Sequence, residues 1–178
     1  MKKTFGTILT ICILVSLICL PLISTVDAIP QVVVTRANTK TDLSGTWYTQ
    51  YKFLLGGATD YVRIPDGWTQ ERLLVMCRGY SHLLPTTIPN DAQMNTFVAM
   101  SYATVTSDYG AGGYSVKEGV IRTHQLTEWF IDNFDFNGYV YLFGASMGGN
   151  IVLQLGATYP NLDDGVFDLF GSKNLKPQ

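Results

Sequence analysis

Residues 139–155 constrain the fold of this chain more than any other stretch. They begin with an uninterrupted apolar run at 139–143, pass through Gly144-Ala-Ser-Met-Gly148, and continue as an amphipathic segment. A continuous apolar run is typical of a strand buried on both faces of a sheet, whereas apolar residues spaced about three to four apart indicate a helix. The stretch therefore predicts a strand, a sharp turn and a helix in direct succession.

Ser146 stands in the turn between Gly144 and Gly148, and this G-x-S-x-G spacing is that of a nucleophile elbow. In such a turn the strained serine backbone brings strand and helix so close that side chains at the flanking positions do not fit. The serine hydroxyl then projects above the end of the sheet. Ser146 is therefore the candidate nucleophile, and the alternative is a tight turn whose serine only caps the helix.

A serine nucleophile needs hydrogen-bond donors for the oxyanion of its tetrahedral intermediate. One expected donor is the backbone N–H of Met147, directly after the serine. The other is expected at the backbone N–H of Gly79 or Tyr80, in the loop after the apolar run at residues 72–77. The alternative for residues 78–80 is an ordinary turn at the end of a strand.

Elsewhere the pattern predicts strands that alternate with helices after an N-terminal hairpin. Segments rich in Tyr, Thr and Val flank Gly56-Gly57 and predict the antiparallel hairpin. Ser115 and Glu118 have the spacing of a capping box at the start of a helix. Further strands are expected at 72–77, 95–103, 139–143 and 165–170, the last of them buried, and helices at 116–134 and 147–159. The expected fold is α/β, a mostly parallel sheet with an N-terminal antiparallel hairpin and helices on both faces.

Residues 1–28 have the organisation of a secretory signal peptide. Lys2 and Lys3 precede an apolar run at about residues 8–23, and Val26-x-Ala28 resembles a small-residue cleavage site. We expect cleavage after Ala28 and a secreted or extracytoplasmic location, and an uncleaved segment that attaches the protein to a membrane is the alternative. Residues 29–44 are expected to form an exposed arm, and residues 45–178 the domain.

Charge and cysteine content exclude several classes of function. The formal net charge is −2, and removal of Lys2, Lys3 and Asp27 with the signal segment makes it −3, so no binding to nucleic acid is expected. Cys77 is the only cysteine after residue 28, which leaves no intramolecular disulfide. No Cys, His and carboxylate cluster has the spacing of metal ligands, so we expect neither a metal nor an organic cofactor.

These motifs together resemble the α/β-hydrolase superfamily, and more closely its secreted esterases and prolyl-oligopeptidase-like serine peptidases. The resemblance covers about residues 73–171, and its most specific part is the elbow around Ser146. Relatives usually carry His-Gly where this chain has Arg78-Gly79. The resemblance implies a secreted serine hydrolase that acts through Ser146 on a small ester or peptide substrate.

The triad that the resemblance implies is incomplete in this sequence. In the superfamily an acid and then a histidine follow the serine along the chain. After Ser146 the sequence holds Asp163, Asp164 and Asp168 but no histidine, so no acid and no base are assigned. The chain is then expected to be the N-terminal part of an incomplete α/β-hydrolase fold with impaired catalysis. The alternative is an inactive truncated or split fragment or a binding module, with a complementing C-terminal fragment as a possible partner.

Residues upstream of the elbow offer weaker candidates. His82 follows the expected oxyanion donors and is an alternative base, whereas His124 is expected to be a packed or surface residue of its helix. Asp108 lies in the glycine-rich loop, residues 107–114, and is expected to stabilise a turn rather than contact substrate. Tyr109 and Tyr114 of the same loop either line a substrate pocket or pack the loop.

Overall fold

The structure is a computed structural model that describes residues 31–40 and 45–171. The expected signal peptide, residues 1–28, lies outside the described residues, so its cleavage or retention stays a prediction. Within the described part of the chain, no helix is both long enough and apolar enough to cross a bilayer.

One sheet contains all the strands named in the described residues. The strands are β1 (Val33–Asn38), β2 (Trp47–Leu55), β3 (Ala58–Pro65), β4 (Arg72–Cys77), β5 (Ala103–Ser107), β6 (Tyr139–Ala145) and β7 (Gly165–Leu169). Their order is β1-β2-β3-β5-β4-β6-β7. β1, β2, β3 and β5 pair antiparallel in that order, and β5, β4, β6 and β7 pair parallel. The expected α/β sheet with an N-terminal hairpin is confirmed as a mixed sheet, in which three of the six strand pairs in the described residues are parallel rather than most of them.

Helices cover both faces of this sheet, as expected. They are α1 (Asp91–Ala99), α2 (Val116–Phe134) and α3 (Met147–Thr158). Successive side chains of a strand point to opposite faces. Leu73 and Val75 of β4 therefore belong to the large core beneath α2 and α3, and Leu74 and Met76 to a smaller core with Met94 of α1. The continuous apolar run of β4 follows from burial on both faces.

The strand expected at residues 95–103 is wrong. Most of that segment belongs to the helix Asp91–Ala99, and the strand follows at Ala103–Ser107. A short apolar run does not distinguish a buried strand from one buried side of a helix by its periodicity. Met94 and Val98, four residues apart, are the buried positions of α1.

The capping box expected at the start of α2 is also wrong. Ser115 is the N-cap residue, but its side chain makes no capping hydrogen bond. Its Oγ instead accepts a hydrogen bond from Nη2 of the buried Arg78 at 3.4 Å. A hydrogen bond from a cation is stronger than one from a backbone amide, so the guanidinium takes the acceptor that the helix would have used.

The two edge strands complete the sheet. Six residues of the expected N-terminal arm form β1, Val33–Asn38, which pairs with β2. β7 was expected to be buried, but Phe167 is 57 % exposed and Leu169 is 44 % exposed. The reason is that β7 pairs only with β6 among the described residues. An apolar strand edge of this kind favours pairing with other strands.

We predict that the chain expressed alone associates through β7, and that Phe167→Lys reduces this association. A lysine on an edge strand opposes strand pairing, because its charge must remain hydrated. Light scattering over a concentration series measures the effect. Tyr139→Lys is the matched control, since Tyr139 is 59 % exposed but lies on β6. A wild-type chain that stays monomeric and unfolds cooperatively would contradict the prediction.

Asp60 of β3 is a buried carboxyl group, only 1 % exposed. Neither of its oxygens makes a well-formed hydrogen bond in the structure. Burial and, to a smaller extent, Asp108 raise the pKa of Asp60, the neighbouring Ser107 and Arg122 oppose the shift, and the resulting pKa is about 8. The native protein therefore holds a proton on Asp60 at neutral pH.

This proton makes the free energy of unfolding depend on pH. Between pH values near 3.8 and about 8, the native state retains a proton that the unfolded chain has released, so stability falls as pH rises. The slope from this group is at most about 1.4 kcal/mol per pH unit, and it disappears above the native pKa. Asp60→Asn should remove it, whereas Asp132→Asn, on the exposed side of α2, should not. Urea denaturation over this range checks both variants, and an unchanged slope in Asp60→Asn would contradict the assignment.

Candidate active site

The carboxyl ends of β4 and β6 meet where the winding of the sheet reverses. From β4 the chain passes through α1 to β5 on one side, and from β5 it crosses through α2 to β6 on the other. Ligands of α/β sheets bind at such switch points, because the loops that leave the two strands diverge and open a crevice. The loop after β4 and the turn at Ser146 both lie at this position.

Ser146 occupies the turn between β6 and α3 with φ 55° and ψ −121°. Residues other than glycine rarely adopt this backbone conformation, which costs about 1–3 kcal/mol and persists only where the surroundings enforce it. The N–H of Ser146 donates to the carbonyl of Leu169 at 2.8 Å, so β7 helps to hold the turn. The side chain is exposed and makes no capping hydrogen bond. The serine therefore does not serve as a side-chain cap.

Three glycines around Ser146 lie where no Cβ fits. A Cβ on Gly144 would overlap the carbonyl oxygen of Gly148, and one on Gly148 would overlap the carbonyl oxygen of Cys77. A Cβ on Gly149 would overlap Oδ1 of Asp168. These contacts are the steric reason for the Gly144 and Gly148 spacing seen in the sequence. Gly149 is a further position at which glycine is required.

The expected oxyanion donors lie beside the elbow. Met147 is buried and is the first residue of α3, where a backbone N–H has no acceptor within its own helix. A Cβ on Gly79 would lie 3.5 Å from the carbonyl oxygen of Ala145, which places the loop after β4 against the end of β6. Tyr80 is the next residue of that loop. The structure thus places these groups at one edge of the sheet, and their role as oxyanion donors stays a prediction.

Arg78 joins the loop after β4 to the glycine-rich loop. Its side chain is buried, with Nε and Nη2 donating to the carbonyl of Asp108 at 3.2 and 3.0 Å, and Nη2 also donating to the carbonyl of Ala111. The guanidinium lies over the ring of Tyr109, 4.4 Å from its centroid. Burial lowers the pKa of Arg78, which Tyr109 and Asp108 oppose. Arg78 therefore fixes the position of the glycine-rich loop.

The glycine-rich loop is partly a structural support and partly exposed. Tyr109 is 1 % exposed, and its hydroxyl donates to the carbonyl of Arg78 at 3.4 Å, so of the two alternatives for this residue the structure shows packing of the loop. The ring of Tyr109 is buried because it packs against the guanidinium of Arg78. Oδ1 of Asp108 accepts from the N–H groups of Thr59 and Gly110 at 2.8 and 2.7 Å, which confirms its expected role in a turn.

Neither histidine forms a hydrogen bond to Ser146 in the described structure. His82 is exposed in the loop after β4, with Nδ1 3.4 Å from the hydroxyl of Tyr80. His124 stacks on Tyr159 at 3.7 Å, and its Nε2 lies 3.9 Å from Oε1 of Glu128. His124 is therefore a packed surface residue, as expected.

Cys77, Asp164 and Asp168 do not form a second reactive centre. Burial raises the pKa of the Cys77 thiol to about 12, so it is not a thiolate nucleophile at neutral pH. Oδ1 of Asp168 accepts from the N–H of Gly171 at 2.7 Å, and Oδ2 of Asp164 accepts from the N–H of Val140 at 2.8 Å. Among the described residues, no group of three or more His, Cys, Asp or Glu side chains is placed to hold a metal ion.

Asn150 of α3 is a residue of the site that was not predicted from the sequence. Its side chain is 3 % exposed, and Nδ2 donates to the hydroxyl of Tyr114 at 2.5 Å. The available signal was an amide residue among the glycine and aliphatic residues at 147–153. A polar side chain in such surroundings needs a hydrogen-bond partner, but the partner is 36 residues away in the sequence.

Comparison with known proteins identifies the fold. No family model and no curated protein matches the chain. A dienelactone hydrolase from Anabaena variabilis matches with 17% identity and a TM-score of 0.54, over 80% of this chain and 64% of that one. An esterase from Aspergillus oryzae matches with 18% identity and a TM-score of 0.53, over 77% of this chain and 34% of that one. A carboxyl esterase from Bacillus coagulans matches with 13% identity and a TM-score of 0.54, over 68% of this chain and 43% of that one.

The chain therefore has the α/β-hydrolase fold that its motifs implied. It spans less than two thirds of the length of each of these three proteins. At this level of identity the likeness establishes the fold and not the function.

We predict that Gly148→Ala lowers the free energy of unfolding by about 2–4 kcal/mol, because a methyl group there overlaps the Cys77 carbonyl. Gly156→Ala in the same helix is the matched control. A Cβ on Gly156 would lie 3.5 Å from Asp163 and Val166, so this change should be neutral or stabilising by up to about 1 kcal/mol. Urea denaturation of both variants checks the difference, and equal stability would mean that the elbow is not closely packed.

Proposed function

We propose that this chain is a serine hydrolase in which Ser146 attacks the carbonyl carbon of a small carboxylic ester. The observation that carries the proposal is the exposed Ser146 at φ 55°, held between β6 and α3 by glycines that admit no side chain. Serine in this strained, projecting position suits nucleophilic attack rather than packing. The esterases among the structural neighbours support the ester class, and a small peptide is the second candidate substrate.

The reaction is acyl transfer in two stages. The bond from Ser146 Oγ to the carbonyl carbon forms first, and the N–H groups of Met147 and of Gly79 or Tyr80 donate to the resulting oxyanion. Collapse of this intermediate breaks the ester bond, and the alcohol leaves with the proton that a base has taken from Oγ. Water then attacks the acyl-serine in the same way and releases the acid.

The mechanism needs a base that takes the proton from Ser146 Oγ. We propose two sources for it, namely His82 in the loop after β4 and an imidazole supplied by a complementing C-terminal fragment. The edge of β7 is the place where such a fragment would pair, because among the described residues β7 has β6 as its only strand neighbour. Without a base, oxyanion donors and substrate binding alone would leave only residual catalysis, about 10³–10⁴-fold over water.

The second candidate function is a binding module that retains the site without turnover. The observation in its favour is that neither His82 nor His124 forms a hydrogen bond to Ser146 in the described structure. Such a protein would bind esters at the same edge of the sheet but would not form an acyl-serine.

We further propose that the protein acts outside the cytoplasm after removal of residues 1–28. Lys2, Lys3, the apolar run and the Val26-x-Ala28 site support this location. N-terminal sequencing of the protein recovered from the culture medium tests it, and a mature chain that begins at Ile29 is the expected result. Retention in the membrane fraction with Met1 still present would favour the uncleaved anchor.

A fluorophosphonate probe tests the nucleophile directly. We predict labelling at Ser146, localised by mass spectrometry, that is lost in Ser146→Ala and kept in the control Ser101→Ala. If His82 is the base, His82→Gln slows labelling at least about 100-fold, within the range usual for a general base. Unchanged labelling in His82→Gln would exclude His82. A folded wild-type chain that does not label at Ser146 would favour the binding module.

A further inference from the structure

An isolated antiparallel bridge connects the loop after β4 to the glycine-rich loop. It pairs Ser81 with Gly113, and the N–H of Gly113 donates to the carbonyl of Ser81 at 2.7 Å. In an antiparallel register the residue before one partner lies opposite the residue after the other. Tyr80 and Tyr114 directly adjoin the two bridged residues, so the bridge brings the parts of the two loops that carry these tyrosines together.

Both members of this tyrosine pair, Tyr80 and Tyr114, are exposed. Tyr80 is 57 % exposed and Tyr114 is 59 % exposed. Leu83, which is 71 % exposed, extends the apolar surface along the same loop. The backbone N–H of Tyr80 is also an expected oxyanion donor. Exposed aromatic rings therefore lie at the edge of the sheet where the ester would be attacked.

Tyr114 is fixed at its hydroxyl end to the helix that begins at the nucleophile. Asn150 Nδ2 donates to the Tyr114 hydroxyl at 2.5 Å, and the N–H of Asn150 donates to the carbonyl of Ser146 at 3.3 Å. The hydroxyl of Tyr114 thus lies one helical turn from Ser146. A ring held at both its backbone and its hydroxyl loses little conformational entropy when a ligand packs on its face.

The loops that carry the pair are themselves held rigidly. A Cβ on Gly112 would lie 2.8 Å from the carbonyl carbon of Leu83, so the two loops touch through their backbones. Arg78 adds hydrogen bonds to the carbonyls of Asp108 and Ala111. The two loops that carry the tyrosines are therefore held together before any ligand binds.

We propose that Tyr80 and Tyr114 select esters that carry an aromatic group, and that Asn150 is the positioning residue for Tyr114. This inference rests on the proposed function, because it assumes that the ester binds at Ser146. Stacked or edge-to-face contacts between aromatic rings add to binding beyond the area that is buried. The expected preference for an aromatic over an aliphatic ring of the same size is about three- to tenfold.

Equilibrium binding in the Ser146→Ala protein separates recognition from chemistry. The ligands are phenyl butyrate and cyclohexyl butyrate, which match in size and differ in aromaticity, and ligand-observed NMR measures their affinities. We expect phenyl butyrate to bind about three- to tenfold more tightly. Tyr114→Ala should abolish this preference. Tyr139→Ala should leave it unchanged, because Tyr139 has the same 59 % exposure but begins β6, at the end opposite Ser146.

A double-mutant cycle tests the role of Asn150. Tyr114→Phe and Asn150→Ala both remove the hydrogen bond between these side chains, so each should lower the aromatic preference by a factor of about two to three. The double variant should be no worse than either single variant. Asn133→Ala, on the exposed side of α2, is the control. If Asn150→Ala does not fold, Tyr114→Phe still tests the hydrogen bond, because it changes only one exposed side chain.

The outcomes distinguish this inference from the proposed function. Equal affinity for the two esters, no binding of either, or additive losses in the double variant would overturn the role of the tyrosine pair or of Asn150. Labelling of Ser146 without an aromatic preference would leave the hydrolase proposal standing and remove this one. Aromatic binding that depends on Tyr114 in a chain whose Ser146 does not label would leave this inference standing and remove the hydrolase proposal.

Discussion

The close approach of β6, α3 and the end of β4 is the constraint on which the rest of the site depends. Gly148 packs on the Cys77 carbonyl, and Gly144 packs on the Gly148 carbonyl. Because glycine has no Cβ, these backbones can approach so closely that the helix begins directly at the end of the strand. This arrangement requires the strained backbone conformation of Ser146. Its N–H then bonds to the Leu169 carbonyl, so the position of the nucleophile depends on β4, β6 and β7 together.

A buried cation holds the second part of the site. Burying a guanidinium is costly unless its donors are satisfied, and Arg78 satisfies them with carbonyls of the glycine-rich loop and with the Ser115 hydroxyl. The same interaction explains why Ser115 lacks the expected capping bond and why Tyr109 packs the loop beneath the guanidinium rather than lining a pocket. Arg78 thereby sets the loop that presents Tyr114.

Local pattern was sufficient where one element has one dominant environment. The strand Arg72–Cys77 was predicted with the observed bounds, because burial on both faces makes it continuously apolar. The amphipathic helix Val116–Phe134 was equally clear. The structure of residues 95–103 was not clear from the sequence, because their short apolar run suits both a strand and the buried side of α1. The exposure of β7 follows from its place at the edge, which no local pattern reports.

The sequence by itself determined the strand, turn and helix around Ser146, since the steric demand for Gly144 and Gly148 is local and leaves a recognisable spacing. Only the tertiary structure decided which tyrosine of the glycine-rich loop is buried and which is exposed, and that Asn150 reaches Tyr114. The physical reason is that these choices depend on hydrogen bonds between loops far apart in the chain, and such bonds impose no periodicity on the residues that make them.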